Sequence, residues 1–213
     1  MRIFVINLDR ATDRWSYFKD DKRYTRWSAT DYNDLPDNHP IFKKLISMWN
    51  ISPQEHKAKC GCHLSHTNLW RYIVQNKLND ILILEDDAEL VGEIPDSSKL
   101  PQDGFTYLGG LTFNKIITQG PKKVQLNEGV NHVNNEDFRM IMLVAYYIPH
   151  YSIAEKMLNT FDEKERFRMV DTMIYKTKTN QYLYYPAPFI ERNIPSQIRK
   201  KKPKHSNIYY EWI

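Results

Sequence analysis

The sequence predicts an α/β fold in which a central, mostly parallel mixed sheet is flanked by helices. Short apolar runs typical of buried strands occur at residues 2–8, 81–84 and 140–148. Segments with helical patterning lie between or after them, at residues 9–19, 64–74 and 152–161. Strands that alternate with helices along one chain indicate an α/β sheet.

Three other segments complete this prediction. Residues 24–29 and 105–110 are expected to be strands, the second of them ending in two glycines. Residues 32–40 are rich in Asn, Asp and Pro and are expected to form a loop. The helix over 9–19 has Thr12 or Asp13 as its expected cap. Because 213 residues suffice for one substantial core and no repeat or linker interrupts them, we expect a single domain over residues 1–213.

The charge of the chain is mildly basic, with a formal net charge of +4 and a pI of about 8.9. Much of the excess lies in one run, RKKKPK at residues 199–204. Such a run is either a solvated tail or a contact for an anionic partner. Since a nucleic-acid role would depend on this run alone, we do not expect nucleic acid as a partner.

The cysteines and the hydropathy of the sequence indicate the cellular compartment of the protein. Cys60 and Cys62 are the two cysteines of the chain, and their spacing closes no comfortable disulfide and provides no second pair for a zinc site. We therefore expect a reducing compartment. The apolar run at residues 3–6 is too short for a signal peptide, and no stretch approaches the roughly 18 apolar residues of a membrane span. The sequence predicts a soluble, cytoplasmic protein.

An acidic triplet, Glu85-Asp86-Asp87, directly follows the strand predicted over residues 81–84. Ligands of open α/β sheets bind beyond the carboxyl ends of the strands. If the extended backbone continued, Glu85 and Asp87 would project to one side and Asp86 to the other. Paired carboxylates suit Mg²⁺ or Mn²⁺, which would in turn bind phosphate oxygens. The alternative is a solvated acidic turn.

Glycine is scarce, which bears on how a phosphate could be bound. The chain has 7 glycines and neither a G-x-G-x-x-G nor a G-x-x-x-x-G-K-[ST] motif. A diphosphate would therefore have to be neutralised by a metal ion and basic side chains rather than by a glycine-rich loop.

Four blocks of sequence, taken in order, resemble glycosyltransferase family 25, the lipooligosaccharide and collagen galactosyltransferase group. They are VINLDR at 5–10 with Asp13-Arg14, GCHLSH at 61–66 leading into Leu69-Trp70, ILEDD at 83–87, and AYYI at 145–148 followed by Ala154 and Leu158. Their order and spacing agree with the family over roughly residues 2–160. The opening also resembles the N-terminal glycosyltransferase domain of a larger viral protein.

This resemblance implies a GT-A, Rossmann-like fold and a nucleotide-diphosphate sugar as donor, with a UDP-sugar expected. It further implies transfer of a hexose (glucose, galactose or a related deoxyhexose) to a glycan or glycoprotein acceptor, with Mn²⁺ or Mg²⁺ as cofactor. We expect residues 1–110 to form the donor half. Residues 111–213, with the basic tail, would form the acceptor half.

The resemblance also implies roles for individual residues. Side chains expected near the nucleotide, its base or the donor sugar are Asn7, Leu8, Arg14, Ala29, Asp31, Ser65 and His66. Asp87 is expected to bind the metal ion, and Glu85 to bind either the ribose or the metal through water. Asp86 is left open between coordination and support. For His66, an ordinary packed histidine is as good an interpretation as a donor contact.

Two later residues complete the expected site. The segment VDTMIY at residues 170–175 resembles the one where inverting enzymes of this fold often carry an acidic residue that faces the acceptor, so Asp171 is the candidate general base. Its alternative role is the N-cap of a helix over residues 172–176. His205, beside the basic run, is a candidate for completing the metal shell.

Three rival functions remain open on the sequence. A retaining glycosyltransferase would place no comparable demand on Asp171. A nucleotidyltransferase also uses acids and metal, but it would normally show a glycine-rich loop near the first strand. A sugar- or cation-binding module without turnover would be excluded by metal-dependent release of sugar or nucleotide.

Overall fold

The structure is a computed structural model that describes residues 1–45, 51–114, 126–133, 138–162, 166, 168–194 and 210–212. Within these ranges the strands are β1 (Arg2–Asn7), β2 (Tyr24–Ser28), β3 (Ile81–Glu85), β4 (Ala88–Leu90), β5 (Gly104–Asn114), β6 (Gly129–His132), β7 (Phe138–Ile148), β8 (Asn180–Tyr185), β9 (Phe189–Glu191) and β10 (Tyr210–Trp212). The α-helices there are α1 (Thr12–Trp15), α2 (Ile41–Lys44), α3 (Pro53–Gln75), α4 (Tyr151–Asp162) and α5 (Val170–Met173). Short 3₁₀ helices lie at Tyr32–Asp34, Ser97–Lys99 and Ile174–Lys176.

The main sheet has the strand order β2-β1-β3-β7-β5-β8-β6, and β10 pairs with β5. Strands β2, β1 and β3 are parallel neighbours, as are β5 and β8, whereas β7 runs antiparallel to both β3 and β5. Strands β4 and β9 form a separate antiparallel pair. The predicted α/β fold with a mixed central sheet is confirmed.

Alternate residues of the central strands supply two apolar cores, one on each face of the sheet. One face packs against α3 and α4 and includes Phe4, Ile6, Ile83, Trp70, Ile73 and Met157. The other face includes Ile3, Val5, Leu82, Leu84 and Phe18. Because both faces are covered, β1 and β3 are continuous apolar runs, which is why the sequence identifies them.

Two helices differ from their predicted bounds. Helix α1 is a single turn capped by Ala11, not by Thr12 or Asp13. The Ser16 hydroxyl donates to the Asp13 carbonyl, a local bond that competes with continuation of the helix. Helix α3 begins at Pro53 rather than near residue 64.

The early start of α3 has a signal in the sequence. The Ser52 hydroxyl accepts from the Glu55 amide at 3.1 Å, and Pro53 occupies the first turn. Ser at the N-cap, Pro directly after it and Glu at the third helical position are the usual features of a helix start. The apolar stripe alone misses them because the first turns of α3 carry few apolar residues.

Strand β5 does not end at its two glycines but continues to Asn114. Its pairing with β7 shifts register around Gly109, and β9 crosses closely at this point. A Cβ on Gly109 would lie 2.6 Å from the Phe189 carbonyl oxygen. The glycine therefore permits a close approach of two backbones rather than ending the strand.

Candidate functional site

A pocket opens at the carboxyl ends of the parallel strands β2, β1 and β3. The predicted site residues that line it are Leu8, Arg14, Ala29, Ser65, His66, Glu85, Asp86, Asp87 and Asp171. The end of strand β3 and the turn after it contribute the acidic triplet, α3 contributes Ser65 and His66, and α5 contributes Asp171. Segments far apart in the sequence thus meet at the edge of the sheet where α/β proteins bind ligands.

Asp86 is held by a buried polar network. Its Oδ2 accepts from Asn7 Nδ2 at 2.8 Å, and its Oδ1 lies 2.5 Å from Arg14 Nη1. Asn7 also donates to the Ala11 carbonyl at 3.1 Å and accepts from Arg26 Nε at 2.8 Å. Both carboxylate oxygens of Asp86 are therefore engaged with protein groups, which favours support over coordination for this residue.

The expected alternation of the triplet required the extended backbone to continue past Glu85, and this condition is not met. Strand β3 ends at Glu85, and the next two residues form a turn, so the period-two geometry stops there. Asp86 and Asp87 consequently reach the same cation, since Arg14 Nη1 also lies 3.5 Å from Asp87 Oδ2. Asn7, expected near the nucleotide, is fully buried behind Asp86 and is not among the residues lining the pocket.

Asp87 carries an unsatisfied oxygen. Its Oδ1 is buried and has no hydrogen-bond partner among the described residues. Burial, together with the charges of Glu85 and Asp86, raises the pKa of Asp87 well above its usual range. A bound cation would satisfy this oxygen and reverse the pKa shift, so Asp87 fits the role of a metal ligand.

Glu85 and His66 end a chain of buried hydrogen bonds. Trp70 Nε1 donates to the Tyr146 hydroxyl at 2.9 Å, and this hydroxyl lies 2.9 Å from His66 Nδ1. His66 Nε2 then lies 3.2 Å from Glu85 Oε1. The Tyr146 hydroxyl accepts from Trp70 and, depending on the imidazole tautomer, either donates to His66 Nδ1 or accepts from it; in the first case the ring proton is on Nε2, facing Glu85.

Burial governs the protonation of this pair. It lowers the pKa of His66 to about 4, so the imidazole is neutral at physiological pH. It raises the pKa of Glu85 to about 8, and the charges of Asp171, Asp86 and Glu191 add to that rise. The acids at this end of the pocket are thus under-compensated by the cations that surround them.

Cys62, His66 and Glu85 form a group that could hold a metal ion. Their ligand atoms all lie within 4.8 Å of one another. Cys62 is a free thiol that lines the pocket one helical turn before His66. The helix itself brings Cys62 close to His66, whereas the proximity of Cys62 to Glu85 depends on the position of α3 against β3.

Asp171 lies in the first turn of α5 and faces the pocket. The helix is capped by Met169 rather than by Asp171, so the alternative role of Asp171 as an N-cap is wrong. Its charge acts on both Glu85 and His66. Asp171 therefore belongs to the same electrostatic cluster as the acidic triplet.

Ser65 and Asp31 position the loop that follows β2. Ser65 Oγ accepts from the Thr30 amide at 2.9 Å and donates to the Gly61 carbonyl at 2.7 Å. Asp31 caps a 3₁₀ turn and accepts from Arg10 Nε at 2.6 Å. Arg10 lines the pocket and Asp31 does not, so Asp31 acts behind Arg10. His205 and the run 199–204 lie outside the described residues.

Comparison with known proteins places this site in a family. A family model described as glycosyltransferase family 25 (LPS biosynthesis protein) matches residues 1–183. The chain belongs to glycosyltransferase family 25. A search of curated proteins gives no match. Among solved structures, a nucleoside-diphosphate-sugar pyrophosphorylase from Vibrio cholerae RC9 is similar over 90% of this chain and 72% of its own, with 10% identity and a TM-score of 0.31.

Membership of family 25 makes the chain a glycosyltransferase. The pocket also contains residues that the four sequence blocks of the family do not indicate. Lys59 lines the pocket, although its side chain is only 4% exposed, and its Nζ lies 3.2 Å from Glu55 Oε1. Glu191 reaches the same pocket from β9. No local pattern marks either residue, because Lys59 depends on how α3 packs on the sheet and Glu191 on how β9 pairs with β4.

Tyr146 is different, because it lies within the family block AYYI and is fully buried. Its position in a family block could have marked it as more than a core residue.

Among the helices that the structure describes, none is long and apolar enough to cross a membrane.

Proposed function

We propose that this family 25 glycosyltransferase moves a hexose from a UDP-sugar to a glycan or glycoprotein acceptor, with a divalent cation and with inversion at the anomeric carbon. The observation that supports this most directly is the unsatisfied Oδ1 of Asp87 in a pocket at the carboxyl edge of β1, β2 and β3. Carboxylates at that edge could hold a cation, and the cation would in turn bind the anionic diphosphate of a nucleotide-sugar.

The donor half would be built mainly from residues 1–110. Leu8 and Ala29 offer apolar surface at the ends of β1 and β2, and Arg10 and Arg14 offer positive charge beside it. With no glycine-rich loop in the sequence, the diphosphate has to be neutralised by such side chains and by a cation. The remaining acids, Asp171 and Glu191, come from residues 111–213.

Asp87 and Glu85 are the residues that would hold Mn²⁺ or Mg²⁺. Their oxygen atoms are the hard ligands that these ions prefer. Burial and the neighbouring carboxylates raise the pKa of both carboxyls, and a bound cation would oppose this rise. When bound, the cation supplies Lewis-acid stabilisation of the departing diphosphate. Asp86 stays paired with Arg14 and keeps the turn in place.

Asp171 would act as the general base that accepts the proton of the acceptor hydroxyl. It faces the pocket from α5, across from the triplet at the end of β3. Neutral His66 would present its Nε2 proton to Glu85 and to the donor, which orients Glu85 without adding charge. The reacting sugar would then lie between the acid cluster and Asp171.

A thermal-shift screen of nucleotide-sugars with and without Mn²⁺ tests donor and metal together. The melting temperature should rise with a UDP-sugar only when Mn²⁺ is present, because a ligand that binds only the folded state stabilises it in proportion to occupancy. Asp87→Ala should lose this response. Asp20→Ala, which alters an exposed acid outside the pocket, should keep it. A wild-type protein that responds to no nucleotide-sugar, or an Asp87→Ala variant that responds like wild type, contradicts the proposal.

Stereochemistry needs a separate measurement. The anomeric configuration of the first product can be read by NMR during turnover with an acceptor. We expect inversion, and we expect Asp171→Asn to retain the thermal shift with donor while losing turnover. Retention of configuration would instead assign the chain to the retaining class.

A further inference from the structure

We infer that Cys62, His66 and Glu85 form a binding site for a thiophilic divalent cation of the Zn²⁺ class, and that this cation blocks the donor pocket. The site differs from the hard-ion site at Asp87 in its ligand atoms but shares Glu85 with it. The blocking effect rests on the proposed function, whereas binding of the ion does not.

The geometry of the three side chains is close to that of a tetrahedral site. Cys62 and His66 lie one turn apart on the same face of α3, and Glu85 faces them from the end of β3. His66 Nε2 and Glu85 Oε1 are already 3.2 Å apart, and no pair of ligand atoms is farther apart than 4.8 Å. Zinc bonded to sulfur, nitrogen and oxygen separates its ligands by about 3.4–3.6 Å. The observed separations therefore exceed those of a bound site by no more than about 1.4 Å.

The ligand atoms select the kind of ion. One thiolate, one imidazole and one carboxylate form a typical zinc set, whereas Mg²⁺ and Mn²⁺ prefer oxygen alone. A second pair of cysteines is not required for such a site, because the fold brings a histidine and a glutamate close to Cys62. The thiol is partly exposed in the pocket, so an ion that enters can reach it. The proton of the thiol is released to solvent when the metal–sulfur bond forms.

The imidazole is supported as ligating histidines usually are. The Tyr146 hydroxyl lies 2.9 Å from His66 Nδ1, which directs Nε2 towards Glu85 and the pocket. When Nε2 bonds a metal ion, the ring proton moves to Nδ1 and is donated to the Tyr146 oxygen. Outer partners of this kind typically change metal affinity by about 10- to 100-fold.

Three protein ligands leave a fourth position that faces the pocket. Glu85 is a ligand in both sites and cannot coordinate two ions fully at once. The thiophilic ion and the hard ion of the proposed reaction should therefore exclude each other. The thiophilic ion would also occupy the space beside Asp87 where the diphosphate is proposed to bind. Zn²⁺ should therefore inhibit transfer, and added Mn²⁺ should relieve the inhibition.

Cobalt is the probe for the site, because Co²⁺ bonded to a thiolate absorbs in the near ultraviolet by charge transfer from sulfur. The full chain is stripped of metal, titrated with Co²⁺ and compared with Cys62→Ser and Cys60→Ser. Cys60 is the matched control, since it is fully buried and its Sγ faces the Ile41 carbonyl oxygen at 3.9 Å. We expect the thiolate band in the wild type and in Cys60→Ser, and its loss in Cys62→Ser.

Zinc affinity gives the second measurement, by competition with a chromophoric chelator. Cys62→Ser should weaken Zn²⁺ binding at least about tenfold, and Tyr146→Phe should weaken it by about 10-fold or more. A wild-type protein without a thiolate band, or a Cys62→Ser variant that keeps it, overturns the inference whether or not the variants are active.

The outcomes separate this inference from the proposed function. Asp87→Asn should retain the cobalt–thiolate band while losing Mn²⁺-dependent donor binding. If the thiolate band is present but no nucleotide-sugar binds, the zinc site stands and the transferase proposal fails. If donor binding is present but the band is absent, the zinc site fails and the transferase proposal stands.

Discussion

Arg14 Nη1 lies 2.5 Å from Asp86 Oδ1, and the two side chains form a buried ion pair that joins α1 to the turn after β3. The side chain of Arg14 is only 5% exposed and that of Asp86 only 11%. The pair is completed by Asn7, which donates to the second oxygen of Asp86. The loop after β1 and the acidic turn are therefore held together by charge rather than by backbone pairing.

Removal of Arg14 should destabilise the protein strongly. Arg14→Met leaves the Asp86 carboxylate buried without its cation, and breaking a buried pair in this way costs about 3–5 kcal/mol. The free energy of unfolding, measured by urea denaturation, should fall accordingly. Arg23→Met, which breaks the exposed pair with Asp21, should change it little. Equal effects of the two substitutions would show that the Arg14 pair is not buried as described.

Tyr146 should be important for stability because of its hydroxyl group. Tyr146→Phe leaves Trp70 Nε1 and His66 Nδ1 buried without their partner, at a cost of about 1–3 kcal/mol for each group. The next residue offers a control, since the Tyr147 hydroxyl bonds Asp80 Oδ1 at 3.1 Å in a partly exposed position. Tyr147→Phe should cost about 0.5–1.5 kcal/mol in the same urea experiment. If the free energy of unfolding falls by the same amount in both variants, the buried chain of hydrogen bonds contributes no more stability than the single partly exposed bond of Tyr147.

These two networks mark the limit of what the sequence could predict. The apolar runs of β1, β3 and β7 and the position of the triplet follow from local pattern, and so does the pocket at the strand ends. The direction of Asp86 could not be predicted, because it depends on β3 ending at Glu85. The partnership of His66 with Tyr146 joins two elements 80 positions apart, so no spacing rule contains it.

Gly61 should matter for the loop after β2 rather than for its own helix. Glycine inside a helix costs about 1 kcal/mol relative to alanine, so Gly61→Ala would stabilise α3 if space allowed. A Cβ at this position, however, would lie 2.8 Å from the Thr30 carbonyl oxygen and 3.3 Å from the Tyr32 amide nitrogen. We expect residues 30–32, which border the pocket, to be pushed outward. The donor KM should rise about tenfold or more with a smaller change in kcat, as a clash of about 1–3 kcal/mol implies.

The control for this prediction is another glycine, at which a Cβ would make only ordinary van der Waals contacts. At Gly92 the nearest atom to a new Cβ is Pro188 Cα at 3.5 Å, an ordinary contact. Gly92→Ala should therefore leave the donor KM unchanged. A Gly61→Ala variant with wild-type KM and higher stability would show that the loop yields without effect on the pocket.

The free energy of unfolding of the metal-free protein should fall as the pH rises above about 6.5. The reason is that the folded protein holds protons on its acidic cluster up to a higher pH than the unfolded chain does. The pKa of Glu85 is about 8 in the folded protein against 4.5 for an ordinary glutamate, and that of Asp87 is also raised. Between these values the folded state binds more protons than the unfolded state, so the free energy of unfolding decreases with pH. One retained proton corresponds to about 1.4 kcal/mol per pH unit.

Histidines act in the opposite sense at lower pH. The folded-state pKa values of His66 and His63 are lowered to about 4 and about 3 from 6.5, so they favour the folded protein increasingly as the pH rises to 6.5. Above pH 6.5 the histidines no longer change the free energy of unfolding, and only the decrease caused by the acidic residues remains. Chemical denaturation in EDTA from pH 5 to 8.5 should show this decrease, and Glu85→Gln should flatten it. Glu155→Gln, on the exposed side of α4, should not. Replacing EDTA by Mn²⁺ should also flatten it in the wild type, since a bound cation replaces the retained protons.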